Sequence, residues 1–216
     1  MAEPRPVALP PAERTIGQLV AESIRFYGDH FWPSLALGVV PAALAVVGAH
    51  VSRRVGIILA PTAFGALLSA VLVRAVVVAL EVRPTQRRLV VAWAAGWLVF
   101  APVPFLVVAF IVPGVAWLAA FGLVVPVLLV EDVPLRGAFA RAWRLARADY
   151  VHAIGSFVTL AVVVFLTQAV LAFILRGFGD AAVWVAYFLA SVVVSPLLFL
   201  GTAFLYVDQA ARADVH

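Results

Sequence analysis

The chain has 216 residues, 65% hydrophobic and only 12% charged, with a mean hydropathy of +1.11. A soluble domain carries about 25% charged residues, so hydrocarbon rather than water is the solvent this surface suits, and the length suits one membrane domain. The absence of Cys excludes thiol chemistry, disulfides and Cys-ligated metals, and a net charge of +4 carried by Arg without Lys points to a lipid interface rather than to nucleic acid.

Residues 1–14 read as a disordered cytoplasmic tail, 15–210 as a single membrane domain, and 211–216 as a second cytoplasmic tail. Thr15 is placed to N-cap a helix over Ile16 to Phe31. Gln18, Glu22, Arg25 and Asp29 form its polar stripe, and Ile16, Leu19, Val20, Ile24, Tyr27 and Phe31 its apolar face. The apolar run that follows starts too late and runs too long for a secretory signal, so it reads as a retained helix. A membrane-crossing helix needs about 20 largely apolar residues, and the spacing predicts spans at about 32–51, 56–80, 89–111, 114–130, 151–175 and 181–207.

The stretch from Leu89 to Val130 carries no charge and fits either one span or two turning near Val112-Pro113-Gly114. Arg placement decides for two, because cytoplasmic helix ends collect basic residues. With six spans, Arg5, Arg14, Arg25, Arg83, Arg87, Arg88, Arg136, Arg141, Arg144, Arg147 and Arg212 share one side. Only Arg53, Arg54 and Arg176 lie on the other, with Arg74 inside a span. The fold class expected is therefore an all-α integral membrane protein with six transmembrane helices, both termini cytoplasmic, in a cell inner membrane.

Leu135 to Tyr150 predicts a second surface helix. Arg136, Arg141, Arg144 and Arg147 occupy one arc, and Leu135, Phe139, Trp143, Ala146 and Tyr150 the other, a pattern suited to the headgroup plane. Superposed on the first so that Arg25 meets Arg144, Ala21 meets Ala140 and Phe31 meets Tyr150, it suggests a repeat. A weaker copy starts at Thr85, with Gln86-Arg87-Arg88 before Leu89-Val90, giving three units of surface helix and helix pair.

The run Glu131-Asp132-Val133-Pro134-Leu135-Arg136-Gly137-Ala138-Phe139-Ala140-Arg141-Ala142-Trp143-Arg144-Leu145, followed by Tyr150, resembles the signature of the glycerophosphoryl diester phosphodiesterase membrane-domain family. The opening Ile16-Gly17-Gln18 through Phe31 and Pro41 is similar to that family's beginning; Ala142 stands where Ser is usual and Ala148 where Gly is common. The resemblance implies a multi-helix membrane module, in some relatives fused to a soluble phosphodiesterase; this chain shows no such catalytic domain.

Chemistry-bearing residues are sparse. Arg74 is an intramembrane candidate, because a mid-bilayer charge costs at least about 2.5–3.5 kcal/mol on insertion scales; snorkelling or pairing with Glu81 is its structural explanation. His152, Ser156 and Thr159 share one face of the fifth span, Ser191, Ser195, Thr202 and Tyr206 one face of the sixth, and Thr62, Gly65 and Ser69 one face of the second. Such faces serve helix packing or line a polar path. Pro41, Pro61, Pro102, Pro104, Pro113, Pro126 and Pro196 should kink or interrupt spans, with Pro102-Val103-Pro104 the sharpest break. Trp32, Trp143, Trp184, Tyr187 and Tyr206 suit interface belts. No nucleophile elbow, phosphate-binding glycine loop or metal-ligand spacing is present, so no catalytic residue, cofactor or metal is assigned.

The leading expectation is a non-enzymatic membrane module whose basic collar (Arg87, Arg88, Arg136, Arg141, Arg144, Arg147) meets anionic lipid headgroups, or a cytoplasmic or membrane protein partner. The alternative is a transporter, or its accessory subunit, for a lipid or small solute, motivated by Arg74, the polar faces and Pro102/Pro104. A membrane phosphodiesterase or transferase using His152, Ser156 and Asp208 stands third. Oligomeric state has no sequence signal beyond the lack of a G-x-x-x-G pair.

Overall fold

The computed structural model describes residues 10–214 apart from Phe110, and it is helical over most of that length, with no strand among the described residues. The architecture is carried by α1 (Ile16–Asp29), α2 (Phe31–His50), α3 (Arg53–Ala79), α4 (Gln86–Val107), α5 (Val112–Val130), α6 (Leu135–Ala148), α7 (Tyr150–Phe178) and α8 (Ala181–Ala213). All but α1 and α6 are long and apolar enough to cross a membrane, giving the six spans expected, with two of them, α4 and α5, sharing the long uncharged stretch.

α1 starts at a reciprocal cap. The Thr15 hydroxyl accepts from the Gln18 amide (3.3 Å), and the Gln18 side chain accepts from the Thr15 amide (2.8 Å), satisfying two backbone donors at once. The helix buries Leu19 and Ser23 and sets Phe26 edge-on to Phe204 at 5.5 Å. Ile24, on the apolar face, is half exposed, because the inward face is centred on Leu19 rather than on the apolar set as a whole. At Thr85 the hydroxyl caps Arg88 (3.4 Å), and the helix runs from Gln86 straight into its span. The counterpart of a surface helix there is only the turn Gln86-Arg87-Arg88.

Several prolines mark breaks within spans, and tryptophans close the gaps. Pro61 lies in a π-helical turn, Ala60–Phe64, where the Trp97 indole of α4 donates to the Pro61 carbonyl (2.8 Å). α4 turns at Ala101-Pro102 before resuming at Val103, and the Trp117 indole donates to Val99 O (2.8 Å). Trp93 donates to Ala66 O (2.9 Å). In hydrocarbon a carbonyl released by an irregular turn needs such a donor. The Pro102 break is thus closed against a neighbouring helix.

α8 is interrupted at Ser195, and Pro196, which has no amide hydrogen to lose, opens its second half. That half, Pro196–Ala213, packs against α1, α3, α6 and α7 and buries Phe199, Leu200, Thr202, Ala203 and Leu205. It is the post around which the other helices stand. Several of the hydroxyls in the spans are satisfied within their own helices: Thr62 to Ile58 O, Thr167 to Val163 O, Ser195 to Ser191 O and Thr202 to Leu198 O. Ser69 instead reaches across to Trp93 O (2.6 Å), and Gln168 to Ser191 Oγ (2.9 Å).

Close approach sets the α2–α8 contact. A Cβ at Gly38 would collide with the backbone carbonyl of Val192, whereas one at Gly28 would meet nothing within 4 Å. Gly38→Ala is therefore expected to force the helices apart at the roughly 1–3 kcal/mol typical of overpacking, read as a lower thermal midpoint of the detergent-solubilised protein. Gly28→Ala should leave that midpoint unchanged or slightly raised.

Candidate functional site

The chain turns that precede or follow α3/α4, α5/α6, α6/α7 and the end of α8 meet at one end of the bundle, joined by a polar network. At its centre is Asp208, fully buried on α8. Its Oδ1 accepts from Arg14 Nη1 at 3.2 Å, and its Oδ2 lies 3.7 Å from His152 Nε2. Arg212, one turn further on, donates to the Arg14 carbonyl (2.6 Å). It also lies 3.5 Å from His152 Nδ1 and 3.6 Å from the Asp149 carboxylate. Asp149 in turn caps α7 by accepting from the His152 amide (2.9 Å), and its carbonyl accepts from Gln209 Nε2 (2.9 Å). Two carboxylates and two guanidiniums thus balance around one imidazole.

This arrangement places residues whose significance the apolar pattern hides. Arg14, assigned to the tail by the boundary at residue 15, is held against Asp208; Pro11–Glu13 before it forms a 3-10 turn, and residues 1–9 lie outside the described set. Arg212, assigned to the second tail, sits in the last turn of α8, which runs on to Ala213. The helical phase carries that signal: Leu205, Gln209 and Arg212 keep one face beyond Val207, where the expected sixth span ends. Val215 and His216 are outside the described residues.

A second knot adjoins the first. Glu131 accepts from Arg141 Nε at 3.2 Å through both oxygens and from the Tyr206 hydroxyl at 3.1 Å. Tyr206, expected in an interface belt, is buried there instead, because its hydroxyl has a carboxylate partner inside. Arg88 bridges to Asp132.

The collar therefore divides. On α6 the inward stripe is Ala138, Ala142, Leu145 and Ala146 rather than the aromatic arc, since small side chains admit close packing. Leu135 and Trp143 are left partly exposed, with Trp143 stacked on Phe121. Arg141, at the flank of that stripe, turns in to Glu131, while Arg136, Arg144 and Arg147 are exposed, Arg147 resting 5.1 Å from the Trp143 ring. Arg87 is exposed as well. Among the described residues Arg87, Arg136, Arg144 and Arg147 have no carboxylate partner.

The intramembrane candidates separate too. His152 and Ser156 are buried on the packed face of α7, whereas Thr159 is only half-buried. Both His152 ring nitrogens face other partners, Asp208 and Arg212, and Ser156 Oγ has none, so the trio is not arranged as a nucleophile and its base. Arg74 faces outward from α3 and forms no ion pair with Glu81. No group of three or more His, Asp or Glu side chains among the described residues is placed to hold a metal. Comparison with family models, curated proteins and solved structures finds no match to the chain.

Removing one member of a buried pair leaves the other charge uncompensated, at about 3–5 kcal/mol. Asp208→Ala is expected to show a loss of that size in denaturant stability and a fall in folded, detergent-extractable protein. Arg25→Ala, which removes the exposed pair with Glu22, should cost under about 1 kcal/mol by the same assay.

Proposed function

We propose that this chain is a non-enzymatic, multi-pass module of a cell inner membrane whose Arg-rich end lies on the cytoplasmic side and engages anionic lipid headgroups. The observation that carries the reading is the division of charge at that end. Inward-facing carboxylates are matched, while Arg87, Arg136, Arg144 and Arg147 are exposed without a carboxylate partner among the described residues. Each such residue near an anionic leaflet contributes about 1 kcal/mol. Among the described residues the arginines at the opposite end are the exposed Arg53, Arg54 and Arg176, and the positive-inside rule then orients the bundle. α1 and α6 fit as amphipathic helices in the headgroup plane, α6 with Trp143 beside its arginines.

The motif likeness to the glycerophosphoryl diester phosphodiesterase membrane-domain family is consistent with this reading and is carried by residues of the same end, Glu131 through Tyr150. In this chain the acid opening that motif, Glu131, is the acceptor that fastens α6 to α8 through Arg141 and Tyr206. A transport role drew on the polar faces and Arg74. The hydroxyls that bond back within their own helices and the outward direction of Arg74 support packing rather than a path.

The triple variant Arg136→Gln/Arg144→Gln/Arg147→Gln tests the reading. Phosphatidylglycerol co-purifying per protein, measured by mass spectrometry, should fall several-fold, and the residual binding should lose its salt dependence. Unchanged retention in a variant of intact helicity and topology would contradict it.

A further inference from the structure

On the outer wall of the bundle, between α3 and α4, an open groove of about 600 Å³ is walled by Ala70, Val73, Val77, Val90 and Trp93 and also bears Arg74 and Arg83. Its volume lies within the roughly 300–1,000 Å³ of small-molecule sites. Three features make it more than a crevice. Its walls belong to two helices apolar enough to span a membrane, so an apolar occupant comes from the lipid phase. Trp93 is held in place by its hydrogen bond to Ala66 O, which fixes one wall. Arg74 is exposed about 8 Å of helix rise before the end of α3, and among the described residues neither it nor Arg83 has a carboxylate partner.

A guanidinium at that depth, facing lipid, needs an anion or water to offset its desolvation. Glu81, the nearest acid in sequence, does not supply the anion: it is exposed in the loop at positive φ (50°) and forms no pair with Arg74. The anion available at that depth is a lipid phosphate of the bilayer itself. We propose that this groove is a discrete site for one anionic phospholipid, its phosphate held between Arg74 and Arg83 and an acyl chain laid along Val73, Val77 and the Trp93 ring. Arg presents a planar fork of donors matched to phosphate oxygens, and the wall beneath it is apolar at the depth where the chain begins. The inference rests on the reading of the chain as a membrane module with its Arg-rich end at one leaflet, but it needs none of the collar residues on α6.

The test uses the full chain in phosphatidylcholine nanodiscs containing a small fraction of phosphatidylglycerol with brominated acyl chains, which quench nearby indoles. The Trp93 contribution is the quenching lost in Trp93→Phe. Brominated phosphatidylglycerol is expected to quench Trp93 more strongly than brominated phosphatidylcholine at the same fraction. Arg74→Gln should reduce that preference about fivefold and Arg74→Gln/Arg83→Gln should abolish it. Ala70→Phe, which fills the groove without changing charge, should remove Trp93 quenching by either lipid. The collar triple variant should keep the preference, so loss of bulk anionic retention and loss of the groove site are separately visible. Equal quenching by the two lipids, or a preference untouched by Arg74→Gln, would overturn the proposal. Should Arg74→Gln fail to fold, Arg83→Gln in the loop and Ala70→Phe decide in its place: a lipid preference and Trp93 quenching unaffected by both would overturn the proposal equally.

Discussion

A carboxylate in the middle of a packed apolar bundle survives only where cations reach it. Asp208 meets that condition near the C-terminal end of α8: Arg14 arrives from the chain before α1 to pair with it, the His152 ring approaches from the first turn of α7, and Arg212 of α8 holds Arg14 by its carbonyl. The consequence is topological. The N-terminal approach, α7 and the central post are tied at one level, and Gln209 and Arg212 bring in Asp149, which caps α7. Glu131 repeats the device one element away, joining the end of α5, α6 and α8. Lipid gives little hydrophobic drive for one helix to prefer another. Ionic and hydrogen-bonded ties of this kind therefore select the arrangement, while Gly and Ser contacts set how closely the helices approach.

The same economy separates the arginines by role. Arg14, Arg141 and Arg212 find an acid, turn inward and become part of the fold, whereas Arg87, Arg136, Arg144 and Arg147, with no carboxylate partner among the described residues, remain on the surface. Arg141 and Arg144 are neighbours on α6 with opposite fates, decided by whether they flank or oppose the Ala138–Ala142–Leu145 stripe. Helix breaks follow an equivalent rule. At the Pro61 and Pro102 breaks indole donors on the facing helix bond to backbone carbonyls, so α3, α4 and α5 interlock where they are least regular. The buried, partnerless atoms of His152, Asp208, Gln209 and Arg212 lie within one network, where the ionic ties are longest.

Much of the fold was legible because lipid imposes length and polarity together: uninterrupted apolar runs of about 20 residues admit few readings. The Arg distribution resolved Leu89–Val130 into two spans, and the Thr15 cap was visible from residue type alone. The site was less legible. Composition marks where a run of apolar residues stops, but the helix stops only when its backbone does, so Asp208 reads as a span end and Arg212 as tail, although Asp208 and Gln209 are buried and Arg212 joins their network. Arg14 and Asp208 are separated by most of the chain, and no local pattern announces a contact between them. The arc on α6 hid a second face: between its arginines and its aromatic residues runs the stripe Ala138, Ala142, Leu145 and Ala146, whose small side chains pack closest. Trp93, Trp97 and Trp117 carried no local signal of their bonds, because the carbonyls they serve belong to other helices.

The ionic ties and the exposed arginines of α6 share one end of a six-span bundle, and in the proposed orientation that end faces the cytoplasm. Since the chain has no native Cys, single thiols report sidedness directly. Ala140→Cys lies among the α6 arginines and Gly177→Cys at the opposite end, both exposed. A membrane-impermeant maleimide is predicted to label position 177 but not 140 in intact spheroplasts, and 140 but not 177 in inside-out vesicles. Labelling of both positions from the same side would contradict the six-span arrangement, and the reverse pattern would contradict its orientation.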